Sequence, residues 1–113
     1  MHELGIVFYI VDDVKKVAEE NHAEHVREVT MDIGEVSTVV PELLTDCWQW
    51  AANREEVLRG CKMVVNTLPA ITHCDGCGQD YPTVQYGKTC PHCSSEDTWL
   101  KTGNEVEIKS ITV

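Results

Sequence analysis

Apolar side chains recur along residues 4–21 at Leu4, Val7, Phe8, Val11, Val14 and Ala18, the i, i+3, i+4 spacing that lines one face of an amphipathic helix. Asp13, Lys15, Lys16, Glu19 and Glu20 supply its wet face. The period then changes. Between His25 and Ile33, Val29, Met31 and Ile33 alternate with Glu28, Thr30 and Asp32 before Gly34, which predicts a half-buried strand. Pro41 suits the first turn of a second helix, where a missing N–H costs nothing. Ser37 and Thr38 lie close upstream, and Val40, Leu43, Leu44, Cys47, Trp48 and Ala51 form the apolar stripe. After a polar turn over 53–60, the β-branched and apolar run from Cys61 to Leu68 predicts a second strand, stopped by Pro69. Residues 105–113 alternate once more, Val106 and Ile108 against Glu105, Glu107 and Lys109, and predict a third strand.

Residues 72–102 have a different character, rich in Cys, Gly, Asp, Ser and Pro and nearly free of aliphatic side chains. Such a stretch is expected to bury no core of its own and to be held by metal. The predicted architecture is α/β: two helices packed on a small mixed three-stranded sheet, with a zinc-ribbon-like module inserted between the second and third strands. Residues 1–71 and 103–113 would form one domain and 72–102 the metal-binding one.

Composition agrees with a folded globular chain, 42% apolar and 25% charged over 113 residues. A formal net charge of −10, with a pI near 4.7, repels phosphate backbones and anionic membrane surfaces. Trp48, Trp50 and Trp99 therefore have no basic stripe beside them to bring nucleic acid near. The start lacks a basic n-region and a cleavage site, and no apolar run approaches spanning length. The expected compartment is the cytoplasm, with neither membrane nor nucleic acid as a partner.

Four of the six cysteines form two Cys-x-x-Cys pairs, Cys74/Cys77 and Cys90/Cys93, separated by twelve residues. In a reducing compartment that spacing points to metal ligation before disulfides. Four thiolates can converge on one tetrahedral ion at about 2.3 Å each. Zinc fits such a closed shell best and would be structural, with iron as the other metal to weigh. Gly76, Gly78 and Ser94 stand where the knuckles need tight turns or N–H groups aimed at sulfur. His73 comes just before the first knuckle and His92 lies inside the second; each is a solvated neighbour, or a hydrogen-bonding partner or substitute for a thiolate. Cys47 on the helical stripe and Cys61 at the head of a strand read as buried thiols, and His22 and His25 as surface histidines.

Met1-His2-Glu3 places an α-amine, backbone amides and an imidazole close together, a nitrogen-rich set of the kind Ni(II) and Cu(II) accept. Alone it is a weak signal, and an exposed helix start accounts for it better. Taken together, however, five landmarks resemble the HypA family of nickel metallochaperones in NiFe-hydrogenase maturation. They are Met1-His2-Glu3-Leu4, Asp32-Ile33-Gly34-Glu35-Val36-Ser37, Val40-Pro41-Glu42-Leu43, the two knuckles, and Gly103-Asn104-Glu105-Val106-Glu107-Ile108-Lys109. Gly5 departs from the Ser found in many relatives.

The resemblance implies Ni(II) at the Met1 amine, the His2 imidazole and the amides of His2 and Glu3, with the Glu3 side chain in support. It implies zinc at Cys74, Cys77, Cys90 and Cys93, and nickel as transferred cargo without catalytic turnover. It also implies a HypB-type GTPase and the hydrogenase large subunit precursor as partners, with urease as another recipient in some members. A homodimer is carried as the candidate oligomer. The reading from a different class is a zinc-ribbon interaction module of transcription or RNA processing, against which the charge of −10 argues.

Overall fold

A computed structural model describes residues 3–113. Helix α1 spans Glu3–Glu20, strand β1 Glu28–Gly34, helix α2 Pro41–Ala52 and strand β2 Lys62–Leu68. Strands β3 (Ile71–Cys74), β4 (Asp80–Pro82) and β5 (Thr98–Thr102) follow, with the short helix α3 (Thr83–Tyr86) between the last two, and β6 (Val106–Thr112) ends the chain. The strands form two three-stranded sheets, ordered β2-β1-β6 and β4-β3-β5.

The first sheet is mixed, as its hydrogen bonds show. Arg27 N–H donates to Thr112 O and Gly34 N–H to Glu105 O, so numbers fall along β6 as they rise along β1, and this pair is antiparallel. Lys62 N–H donates to Arg27 O and Glu35 N–H to Leu68 O, so β2 runs parallel to β1. Parallel neighbours need a crossover, and α2 supplies it.

The chain divides into two compact units. One runs from α1 to Asp32 and adds Val39–Asn66 and Glu107–Val113. Its interior combines Val7, Ile10 and Val14 of α1 with Leu44 and Trp48 of α2 and with Val29 and Met31 of β1. Trp48 is buried because its indole N–H finds an acceptor, the Cys61 carbonyl at 3.0 Å. Both helices bury a face rotated from the predicted stripe. Ile6 and Ile10 are inside, while Leu4, Phe8, Val40 and Leu43 stay exposed, since one apolar arc wider than the core leaves its flank in water. Ser37 and Thr38 make no cap for α2, whose N-cap residue is Val40.

The other unit comprises Ile33–Thr38 and Thr67–Val106. Contrary to expectation it has a small core and a sheet of its own. β3 pairs antiparallel with both β4 and β5, and Tyr81 is buried with Cys74 and Cys90. The Tyr81 hydroxyl donates to Gly87 O at 2.8 Å, and its ring meets Tyr86 edge-on.

Within that unit the chain converges tightly. Glu35 accepts a bond from Ala70 N–H (2.9 Å), and Glu105 accepts from Gly103 N–H (2.8 Å) and the Thr102 hydroxyl (2.7 Å). The Thr102 hydroxyl, with backbone N–H groups, holds the Glu105 carboxyl below its usual range. A Cβ on Gly34 would land on the Gly103 carbonyl. Gly34→Ala is therefore expected to destabilise the protein by about 3 kcal/mol or more, because backbone cannot step aside. Gly5 lies inside α1 with open space around its Cα, and Gly5→Ala is expected to add about 0.5–1 kcal/mol. Denaturant midpoints of the two variants against the parent check both signs.

Candidate metal centre

Cys74 ends β3, and its neighbour Asp75 begins the first knuckle. Both knuckles close in the same way. Gly78 N–H donates to Cys74 O and Ser94 N–H to Cys90 O, while Cys74 N–H reaches Gln79 O and Cys90 N–H reaches Ser95 O. Each turn needs a left-handed residue four positions after its first cysteine, and these are Gly78 (φ 76°) and Ser94 (φ 63°). Glycine adopts that conformation freely, whereas serine carries the Cβ cost of about 1–2 kcal/mol. A Cβ on Gly76 would sit 3.0 Å from the Ser95 side chain, which would have to shift slightly to admit it.

These turns bring the four sulfurs within 4.8 Å of one another. Cys74 Sγ lies 3.6 Å from Cys93 Sγ, and Cys77 Sγ 3.6 Å from Cys90 Sγ. A tetrahedron with bonds of about 2.3 Å has edges of about 3.8 Å, while a disulfide needs about 2.05 Å. The spacing thus suits four thiolates around one ion, and the donor set fits zinc. Cys74 and Cys90 are buried, and Cys77 and Cys93 face solvent. No other histidine, cysteine or carboxylate joins this group among the described residues.

The sulfurs differ in how readily they ionise without a metal. Burial opposes the Cys90 thiolate, but N–H groups of Cys93 and His92 and the thiols of Cys77 and Cys74 donate to it and bring it down to about 7. The His92 N–H stands 3.4 Å from that sulfur. At Cys77 a bond from Gln79 favours the thiolate, yet desolvation and the other three sulfurs prevail and push it up to about 12. Cys93 is raised as well: the Ser95 N–H favours its thiolate but is outweighed, chiefly by Cys74 and desolvation. Of Cys77, Cys90 and Cys93, Cys90 is the one whose thiolate the neighbouring N–H and S–H groups favour.

His73 has both ring nitrogens turned to carboxylates, Nδ1 at 2.6 Å from Asp80 and Nε2 at 3.6 Å from Asp75. Trp99 covers it at 5.4 Å between ring centres and donates its indole N–H to Asp75 at 3.2 Å. Lys101, and then His73, hold the Asp80 carboxyl below its usual range, with the Lys101 ammonium at 2.8 Å. This network was not foreseen from the sequence, because only the register of β3 against β4 and β5 brings residues 73, 80 and 99 together. His92 is exposed. Cys61 is buried, and desolvation, reinforced by Glu28, pushes its thiol up to about 11. His25 is bonded to Arg59 O at 2.7 Å, and neither it nor the exposed His22 enters a metal-donor group among the described residues.

Of the three residues expected at nickel, Met1 and His2 lie outside the described residues. Glu3 opens α1, and its carboxylate accepts a bond from Val40 N–H at 3.1 Å. Val40 caps α2 without a side-chain bond, so Glu3 brings the acceptor and the negative charge that a helix start favours.

A mixed α/β chain carrying a four-cysteine metal-binding module defines the class to which this protein belongs. A family model described as hydrogenase/urease nickel incorporation, metallochaperone, hypA matches residues 1–113, and the chain belongs to that HypA family. Similar to it is a hydrogenase maturation factor HypA of Chlorobium phaeobacteroides (strain BS1), 36% identical over 113 residues, which are 100% of this chain and 99% of that one. Another HypA, of Geobacter metallireducens, is 31% identical with the same coverage. The solution structure of the Ni metallochaperone HypA from Helicobacter pylori shares the fold, with a TM-score of 0.72 at 21% identity over 99% of this chain and 97% of that one.

Metal binding requires all four thiols to lose their protons, so affinity falls with falling pH. Below about 7, Cys90 is itself protonated, and the dependence is expected to steepen by about one proton there. Competition with a chromophoric chelator across pH values checks this, with one zinc per chain as the expected stoichiometry.

Proposed function

We propose that this chain is a nickel courier, binding Ni(II) at its amino terminus and releasing it during maturation of NiFe-hydrogenase. Cys74, Cys77, Cys90 and Cys93 hold structural zinc. The observation that carries the reading is the family match over the entire length, first three residues included. The sequence assigns 1–71 and 103–113 to nickel and 72–102 to zinc, whereas the compact unit that holds the cysteines is wider, Ile33–Thr38 and Thr67–Val106. The membership supports a HypB-type GTPase and the hydrogenase large subunit precursor as partners, urease as an alternative recipient, action in the cytoplasm, and no catalytic turnover.

The chemistry is consistent with a site that lets go. An α-amine with a reference pKa of about 7.7–8.0 yields its proton to metal near neutrality, and amides do so only under metal pressure. The Glu3 side chain, held by the bond it accepts from Val40 N–H, is assigned as a supporting group.

The test is a Ni(II) titration of three zinc-loaded proteins: one with a native terminus, His2→Ala, and one extended before Met1. The native form is expected to show a planar nitrogen-ligand spectrum, and the other two to lose it with affinity reduced at least about tenfold. Equal binding by all three would remove nickel from the terminus.

A further inference from the structure

Successive side chains of a strand point to opposite faces of its sheet. Along β3, Thr72 and Cys74 are buried while Ile71 and His73 are half-buried, so the His73 ring stands on the face opposite the Cys74 sulfur. Register supplies its surroundings. His73 lies opposite Asp80 of β4 and Trp99 of β5, and Lys101 follows Trp99 by two residues, on the same face.

The hydrogen bonds of this face decide which atoms remain able to bind. An ionised carboxylate only accepts, so the 2.6 Å contact of Asp80 Oδ1 with Nδ1 puts the proton of the neutral ring on Nδ1 and its lone pair on Nε2. Lys101 Nζ, 2.8 Å from Asp80 Oδ2, holds the other oxygen of that carboxylate. Nε2 looks toward Asp75 Oδ1 at 3.6 Å, too far for a hydrogen bond. Two donors bonded at about 2.1 Å to one ion stand about 3.0 Å apart at a right angle and about 3.6 Å apart at 120°. The observed separation is that of two ligands of one ion, and the Asp75 side chain, 52% exposed, can turn to close the angle. Asp75 is itself oriented, because the Trp99 indole N–H donates to its Oδ1 at 3.2 Å and leaves the second lone pair of that oxygen open. A histidine bonded through its other nitrogen to a carboxylate, beside a hydrogen-bonded carboxylate, has the support that metal ligands require.

We propose that His73 Nε2 and Asp75 Oδ1 bind a second divalent first-row transition ion, Ni(II) among them, separate from the four-cysteine centre. Imidazole, carboxylate and water suit such ions, and water fills the positions the protein leaves open. Asp80 and Trp99 are positioning residues. Two carboxylates against one ammonium leave this face negative, on a chain of net charge −10, and so draw a cation to it. With two protein ligands the ion exchanges readily, unlike one enclosed by four thiolates. The site is independent of where nickel binds at the terminus.

Ni(II) in a planar nitrogen cage is diamagnetic, whereas Ni(II) held by one imidazole, a carboxylate and water is paramagnetic and broadens nearby proton resonances. The probe is Ni(II) titrated into the zinc-loaded chain extended before Met1, which takes the terminal amine out of play. The His73 ring protons and the Trp99 indole N–H are expected to broaden first in its NMR spectrum, with zinc content unchanged. His73→Gln and Asp75→Asn are each expected to raise the nickel concentration needed at least about tenfold; should His73→Gln fail to hold zinc, Asp75→Asn, which keeps an acceptor for Trp99, decides alone. Asp80→Ala is expected to act by a similar factor, and Asp80→Asn, whose amide oxygen still accepts from Nδ1, to recover most of the binding. The same broadening is expected from the native terminus, whether or not that terminus takes nickel. Absence of broadening at these two residues at millimolar Ni(II), as for a histidine that serves only in an ion pair, overturns the proposal. So does broadening indifferent to both His73→Gln and Asp75→Asn, or broadening that appears only as zinc is released, which would put nickel among the sulfurs.

Discussion

Four sulfurs must meet at one point, and the second unit is organised around that demand. Two peptide turns with the same hydrogen bonds deliver them, each turn containing one residue in the left-handed region. Tyr81 beneath the cysteines and three short strands bury little apolar surface. The energetic balance of such a unit tilts on the ion, since a small core of this kind seldom holds itself together.

The first unit uses different physics. Helical faces and alternating strand residues bury Val7, Val14, Val29, Met31, Leu44 and Trp48, and α2 makes the crossover that the parallel β1 and β2 require. These elements could be read from periodicity because each is a local pattern. Which flank of an apolar arc turns inward is not local. Leu4 and Phe8 fit the helical period as well as Ile6 and Ile10 do, yet only the latter pair is buried.

The candidate site divides in the same manner. The spacing of the cysteines announces their convergence, and Gly78 marks its own turn. Ser94 marks the second turn by its place after Cys93, but the enclosure of His73 by Asp75, Asp80 and Trp99 gives no such signal, because it arises from strand register. The bond between Glu3 and Val40 joins residues 37 positions apart and connects the start of one helix to the start of the next, where no motif would place it.

The sulfur cluster has an inner and an outer side. Cys74 and Cys90 sit in the interior, while Cys77 and Cys93 look out. A competing chelator or an oxidant would therefore reach Cys77 and Cys93 before the inner pair, so the cluster is open to attack from one direction only.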